Sequence, residues 1–246
     1  MLKFFRNKNV AKMVLWGLLI LILPAFVLWG TGSIGRSKDK GPTYVGLING
    51  KKVSFDDYAQ SISSVRCQII LSFFSRQDML ESLLRNKALM GRAAWDRLIL
   101  LGEVKKNKIK VSDAEVVSFI RSHPIFLRNG QFDGRLYGYI LSYNFNLDPR
   151  GFEETVRENL AIKKLNDSMI KDVKVTDEEV SDSYRKENAP DQTQKIDEEK
   201  FKKEKDEYSK KVLDKKKEAL LDNWLKKLES GTTPKIDLSD YEKYYK

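Results

Sequence analysis

Side chains that could carry chemistry are sparse in this sequence and do not form a catalytic pattern. The chain has one histidine, His123, and one cysteine, Cys67. His123 directly precedes Pro124, which favours a loop residue over a pH switch, and Cys67 lies beside the apolar run 69–71, which predicts a small buried hydrophobe. No His, Cys and carboxylate cluster has the spacing of metal ligands, and no glycine-rich loop could cradle a phosphate. The sequence therefore predicts neither catalysis nor a metal or cofactor.

Aromatic side chains are the more informative feature. Tyr137, Tyr139, Tyr143 and Phe145 lie close together in one predicted helix, and a single helix cannot turn all four towards the same core. Tyr139 and Tyr143 are four residues apart and share a face. They either pack on a neighbouring helix or form an adaptable apolar platform at the surface.

Composition and charge narrow the class of protein. Of the 246 residues, 41% are hydrophobic and 33% are charged, and the net charge is +10. The two signs of charge are interleaved along most of the chain, which indicates a solvated surface more than a nucleic-acid site. Nucleic-acid binding therefore rests on the basic balance alone, and no nucleic acid is expected as a partner.

An apolar segment near the N-terminus predicts a membrane anchor. No charged residue occurs from position 13 to 35, and a helix over 13–31 would be about 28 Å long, close to the hydrocarbon thickness of a bilayer. Pro24 would kink this helix without excluding it from a membrane. The residues assigned to the anchor are Met13, Trp16, Leu21, Pro24, Phe26 and Trp29.

The flanking charges predict the orientation of this anchor. Lys3, Arg6, Lys8 and Lys12 precede it with no acidic residue among them. The positive-inside bias therefore predicts a cytoplasmic N-terminus and an extracytoplasmic body. The alternative is a cleaved signal peptide, with residues 30–32 as a poor cleavage site, although the apolar run is longer than an ordinary signal sequence.

Local signals predict a mainly α fold. Ser112 and Thr176 are each followed three residues later by Glu, the pattern of a capping box at a helix start. Apolar spacing and caps predict helices over 54–75, 77–107, 113–122, 133–144, 148–170, 176–188 and 195–229. The last of these contains many charges of both signs, which could pair four residues apart in its first half, while its second half is amphipathic and must pack on another surface.

A small sheet is predicted beside these helices. Asn49-Gly50 lies between two short β-prone runs and is the strongest two-residue hairpin signal. Near the C-terminus, residues 235–238 alternate in the manner of a strand. A hairpin alone is marginal, so this segment is expected to add a third strand.

Several motifs, in order, resemble a known family. They are the run 95–101, the segment 108–116 with its capped start, Pro124-Ile125-Phe126, Asn129-Gly130-Gln131-Phe132-Asp133, Tyr137 and the run 152–160. This arrangement over about 44–188 is similar to the N-terminal chaperone domain of the SurA and PpiD periplasmic folding factors. The resemblance implies a helical chaperone domain, with Tyr137 in its core, and an uncleaved anchor would be the PpiD-like arrangement.

One departure from that family bears on activity. In those factors a parvulin prolyl-isomerase module usually follows the segment that 175–187 resembles, whereas here only 188–194 separates that segment from the charged helix. His123 lies outside any isomerase core. We therefore expect a chaperone-type protein that lacks the catalytic insert.

The expected organisation is a basic N-terminus and anchor (1–35), a linker (36–43), the chaperone domain (44–188) and a charged helix with a short strand that docks back on it (189–246). The expected function is a membrane-anchored periplasmic holdase for unfolded exported polypeptides, in the cytoplasmic membrane. Its candidate client-binding residues are Phe126, Tyr139, Tyr143 and Phe145. The alternative is a scaffold that uses the same helices to bind one specific envelope partner.

Overall fold

The computed structural model describes residues 42–188 and 198–245. The helices in these ranges are α1 (Phe55–Phe73), α2 (Gln77–Arg85), α3 (Lys87–Lys106), α4 (Asp113–Ser122), α5 (Gly134–Ile140), α6 (Pro149–Ile170), α7 (Asp177–Asn188) and α8 (Glu198–Glu229). The strands are β1 (Gly46–Ile48), β2 (Lys51–Val53), β3 (Leu127–Arg128), β4 (Gln131–Phe132) and β5 (Thr232–Pro234). The prediction of a mainly α fold is confirmed.

The predicted anchor, with Met13, Trp16, Leu21, Pro24, Phe26 and Trp29, lies outside the described residues. Within 42–188 and 198–245, no helix has both the length and the apolar character needed to cross a bilayer. The anchor and the proposed domain boundaries stay predictions.

The expected three-stranded sheet is present, with strand order β2-β1-β5. Asn49 and Gly50 form the β1–β2 turn with φ of +49° and +77°, as an Asn-Gly hairpin requires. The third strand pairs Ile48 with Thr232 and Gly46 with Pro234, so the predicted strand 235–238 was misplaced by three residues. The alternation there has another cause, because Ile236 is buried in the core and residues 238–244 form a 3-10 helix.

Helix starts agree with the capping signals. The Ser54 hydroxyl accepts a hydrogen bond from the amide of Asp57 at 3.0 Å, and Ser112 forms the complete capping box with Glu115. Thr176 and Glu179 exchange the same pair of bonds at the start of α7. These caps satisfy amides that a helix leaves without partners.

The predicted helix over 77–107 is two helices. Asn86 has φ −80° and ψ 88°, which ends α2, and its side chain accepts a hydrogen bond from the amide of Leu89, which begins α3. The apolar stripe continues across this break, so periodicity alone predicted one helix. None of the α2 residues is fully buried, whereas α3 buries Trp95 and Ile99 almost completely.

Two glycines allow close contacts around α3. A Cβ at Gly91 would lie 2.9 Å from the carbonyl carbon of Leu238, and one at Gly46 would lie 2.6 Å from both Trp95 and the Thr233 carbonyl oxygen. The Cβ of any larger residue would force backbone to move at these points. The C-terminal segment and β5 therefore pack directly on α3 and β1.

Helix α8 packs along its length on the rest of the body. Its first half contacts α7, where Tyr184 meets Phe201 and Tyr208 with ring centroids 4.9 Å apart. Several of its charges pair across to α7, as in Lys211–Glu187 at 2.6 Å, a contact between helices that the sequence did not predict. In its second half, Leu228 packs against the core around Trp95, whereas Trp224 packs against Val104, Ala161 and Leu165 of α3 and α6.

The end of α8 is held on α3 by a charged cluster. Arg92 donates to Glu229 at 2.6 Å and lies 3.4 Å from Asp96. This contact is to Oδ1 of Asp96, which is buried and accepts no hydrogen bond from the described residues. Burial, opposed by Arg92 and reinforced by Glu229, raises the pKa of Asp96 to about 6.

Replacing Gly91 and Gly102 with Ala should change stability in opposite directions. Gly91→Ala should lower the free energy of unfolding by roughly 1–3 kcal/mol because the methyl group collides with the C-terminal backbone. Gly102→Ala, where no atom lies within 4 Å of the Cβ position, should raise it by about 0.5–1 kcal/mol through helix propensity. Urea unfolding of the full chain, followed by circular dichroism, measures both. Equal effects of the two substitutions would contradict this packing.

Asp96 should make stability depend on pH. Its pKa is about 6 in the folded state and about 3.9 in an unfolded chain, so the folded state binds the proton more tightly. The free energy of unfolding should therefore fall as pH rises from about 4 to about 6, and Asp96→Asn should remove that component. Asp133→Asn is the control. Folding lowers the pKa of Asp133, so its carboxylate contributes stability that is lost as pH falls, the opposite of the change expected for Asp96. An unchanged pH profile in Asp96→Asn would refute this role.

Candidate functional site

The aromatic residues predicted from the sequence divide into a buried and an exposed group. Phe126 and Phe145 are 0% and 5% exposed, and both pack on Phe152, with ring centroids 5.6 and 5.3 Å away. Their assignment as client-contacting residues is therefore wrong, because neither ring reaches the surface. Tyr137 packs against the same cluster, as expected from the family resemblance.

The burial of Phe145 follows from the local backbone. Residues Leu141–Phe145 continue α5 as a π-helical turn, which ends at Asn146 in the left-handed region with φ of +52°. A π turn shifts the following side chains around the axis relative to an α-helix. Phe145 consequently stacks on Phe152 with only 7° between the ring planes.

Tyr139 and Tyr143 form an exposed tyrosine pair. Their side chains are 57% and 76% exposed, and their ring centroids are 4.5 Å apart with 29° between the planes. Each ring therefore packs on the other rather than on a neighbouring helix. The pair presents a flat apolar surface with two hydroxyl groups at its edge.

The two residues considered for acid-base or thiol chemistry have structural roles. His123 ends α4 among the rings of Phe74, Phe119 and Phe126, and partial burial lowers its pKa. Cys67 is 1% exposed, and burial raises the pKa of its thiol to about 12, so it is the small buried hydrophobe that was predicted. Across residues 42–188 and 198–245, no three His, Cys, Asp or Glu side chains are grouped to hold a metal ion.

An open apolar groove lies between α1, α3 and α6, with a volume of about 360 Å³. We call it the α1–α3–α6 groove. Its lining residues are Val65, Gln68, Ile69, Ser72, Phe73, Leu89, Ala93, Asp96, Arg97, Leu100, Ile162 and Asn166. Cavities of this size that are mainly apolar with a few polar groups are typical binding sites.

The edge of this groove carries further apolar surface. Leu89, which lines the groove, is 36% exposed, and Met169 is 38% exposed. Met169 follows Ile162 by seven residues and Asn166 by three, so it lies on the same side of α6. Flexible Met and Leu side chains suit contact with ligands of variable shape.

Sequence analysis did not identify this groove. The local signal that could have found it is the wide apolar stripe of α3. Part of that stripe, including Leu89, Ala93 and Leu100, lines the groove. The charged groups here are the Asp96 carboxyl and the Arg97 guanidinium, beside the uncharged polar side chains Gln68, Ser72 and Asn166. The arrangement can bind apolar side chains non-covalently and orient them with a few polar groups.

Comparison with known proteins gives the family. A family model described as a SurA-like N-terminal domain matches residues 1–166. No curated protein and no solved structure gives a significant match. Because the matched region is more than half of the 246 residues, the chain belongs to the family of SurA-like N-terminal domains, the non-catalytic chaperone part of those folding factors.

Proposed function

We propose that this protein is a membrane-anchored, extracytoplasmic holdase that binds unfolded exported polypeptides without catalysis. The observation that carries the proposal is the open α1–α3–α6 groove, with apolar walls from three helices, in a chain of a chaperone-domain family. Apolar side chains of an unfolded client would enter this groove, and each buried methylene group would contribute about 0.8 kcal/mol.

The walls of the groove suit clients of varied sequence. Leu89, Leu100 and Ile162 supply apolar contact without a fixed pattern of hydrogen bonds, and such surfaces bind many partners weakly. The tyrosine pair adds a second exposed apolar surface on α5 and its π-helical turn. Weak contacts of this kind allow release without an energy source.

The absence of catalysis is part of the proposal. The strands in the described ranges form one sheet of three strands and one of two, and a parvulin module requires a larger sheet.

The proposal of a membrane anchor is based on the charge-free segment 13–35 and the basic residues before it. Both lie within the family match.

Leu89→Asp should weaken the suppression of client aggregation several-fold, because it places a charge beside the apolar wall of the groove. The assay is light scattering of a chemically unfolded protein diluted into the full chain in uncharged detergent. Val117→Asp is the matched control, since Val117 is 44% exposed on α4 and does not line the groove. Suppression unaffected by Leu89→Asp would show that the groove is not the client site. No suppression together with one tight stoichiometric partner would refute the holdase and favour the scaffold alternative.

Replacing Tyr139 and Tyr143 together with Ser should also weaken client binding, by a few-fold, and should lower the free energy of unfolding by no more than about 0.5–1.5 kcal/mol. The exposed rings contribute about 0.5–1.5 kcal/mol to each other by stacking but do not lie in the core. Fluorescence anisotropy of a labelled unfolded client gives the affinity, and urea unfolding gives the stability. Unchanged affinity would show that the pair is not a contact surface.

A further inference from the structure

A second cavity lies on another side of α3, with a volume of about 560 Å³. It is enclosed by the β1–β2 hairpin, the first half of α1, the second half of α3 and Glu158 of α6, and we call it the hairpin cavity. Its cationic lining residues are Lys51, Lys52, Arg97, Lys105 and Lys106. Its acidic lining residues are Asp57, Glu103 and Glu158.

The carboxylates of the hairpin cavity are already engaged. Glu158 pairs with Arg97 at 2.6 Å, Glu103 with Lys106 at 3.3 Å, and Asp57 accepts a hydrogen bond from Ser54 at 2.7 Å. By contrast, the ammonium groups of Lys51 and Lys105 form no ion pair or hydrogen bond within 42–188 and 198–245. The cavity therefore has an excess of positive charge, including two exposed ammonium groups without a partner in this part of the chain.

Arg97 adds an unmet hydrogen-bonding group. Its side chain is 4% exposed, and its two terminal nitrogens donate to Asn159 at 2.5 Å and Glu158 at 2.6 Å. Its Nε is buried without an acceptor. Burial lowers the pKa of this guanidinium, and Glu158 only partly opposes the effect. Because this Nε has almost no accessible surface among the described residues, a ligand in the cavity would interact with the charge of the guanidinium rather than accept a hydrogen bond from the Nε.

Gly102 leaves room inside the hairpin cavity. It lies within α3, where glycine costs about 0.5–1 kcal/mol relative to alanine. Gly46 and Gly91 are required by close contacts, but no atom lies within 4 Å of the Cβ position at Gly102. Packing within the described residues therefore does not require this glycine, and its lack of a side chain leaves the cavity open at this point.

We propose that the hairpin cavity is a second binding site, which takes acidic segments of polypeptide through their Asp and Glu side chains. Free ammonium groups at Lys51 and Lys105 and the buried Arg97 supply the complementary charge, and Leu98 and Leu101 supply apolar contact beside it. That the occupant is a polypeptide rests on the proposed holdase function. The acidic preference rests on the cavity itself.

Two labelled peptides test this site. They share length and apolar residues, and one carries Glu where the other carries Gln. Fluorescence anisotropy with the full chain in uncharged detergent should show the Glu peptide binding about tenfold more tightly at low salt. This preference should shrink as salt is added, because the lysines are exposed and their charges are screened.

Three variants test whether the preference for the Glu peptide arises in the hairpin cavity. Lys51→Glu combined with Lys105→Glu should abolish it, and Gly102→Leu should abolish it by filling the cavity. Both should leave binding of the Gln peptide close to that of the unmodified protein. Lys171→Glu combined with Lys174→Glu is the control, since it changes the net charge equally at residues that do not line the cavity, and it should retain the preference.

The possible results separate this inference from the proposed function. Equal binding of the two peptides, or a preference that survives both cavity variants, overturns the hairpin cavity as an acidic site and leaves the holdase standing. Binding of neither peptide overturns both proposals. Complete competition by inorganic phosphate at equal ionic strength would show a small-anion site, and the assignment to polypeptide would be wrong.

Discussion

The contact of α3 with α1 and the C-terminal segment determines how the body is assembled. The Tyr58 hydroxyl donates to the Gly91 carbonyl at 2.9 Å, and its ring packs edge-on against Tyr241, with centroids 6.0 Å apart. Trp95, 2% exposed, packs against Tyr58 with ring centroids 6.5 Å apart. Because Gly91 has no side chain, the backbone of the C-terminal segment approaches α3 directly. Residues nearly two hundred positions apart thus share one core, and β5 is placed to complete the sheet with β1.

The interface between α1, α3 and α6 is polar where a simple bundle would be apolar. Ser61 donates to the Ala94 carbonyl at 2.7 Å, Ser64 lies 3.3 Å from Thr155, and Arg97 binds Glu158. Hydrogen bonds to a charged group contribute about 1.5–3 kcal/mol, whereas burying the ion costs several kcal/mol. These polar contacts between the three helices therefore add little net stability. Its effect is to fix the spacing of three helices, with a cavity on each side of Arg97.

Local features of the fold were predictable from the sequence, and features that depend on distant segments were not. The caps at Ser54 and Ser112 and the Asn49-Gly50 turn are set by neighbouring residues, so their positions were correct. Phe145 was placed wrongly because nothing in the sequence indicated the π-helical turn that brings its ring onto Phe152. Both cavities are built from three or more elements far apart in the chain, and no local pattern encodes their open space.

Under the proposed holdase function, the two cavities would let one chain hold varied clients and still release them. Both include Arg97, and both lie along α3, with Leu89 and Leu100 in the groove and Gly102 and Lys105 in the hairpin cavity. A client segment with apolar and acidic portions could occupy both sites at once, and linked contacts raise affinity by far more than either contact alone. Each contact can then stay weak, so release proceeds one site at a time. A single deep and complementary pocket would bind fewer sequences and would release them slowly, which is the less suitable arrangement for a holdase without an energy source.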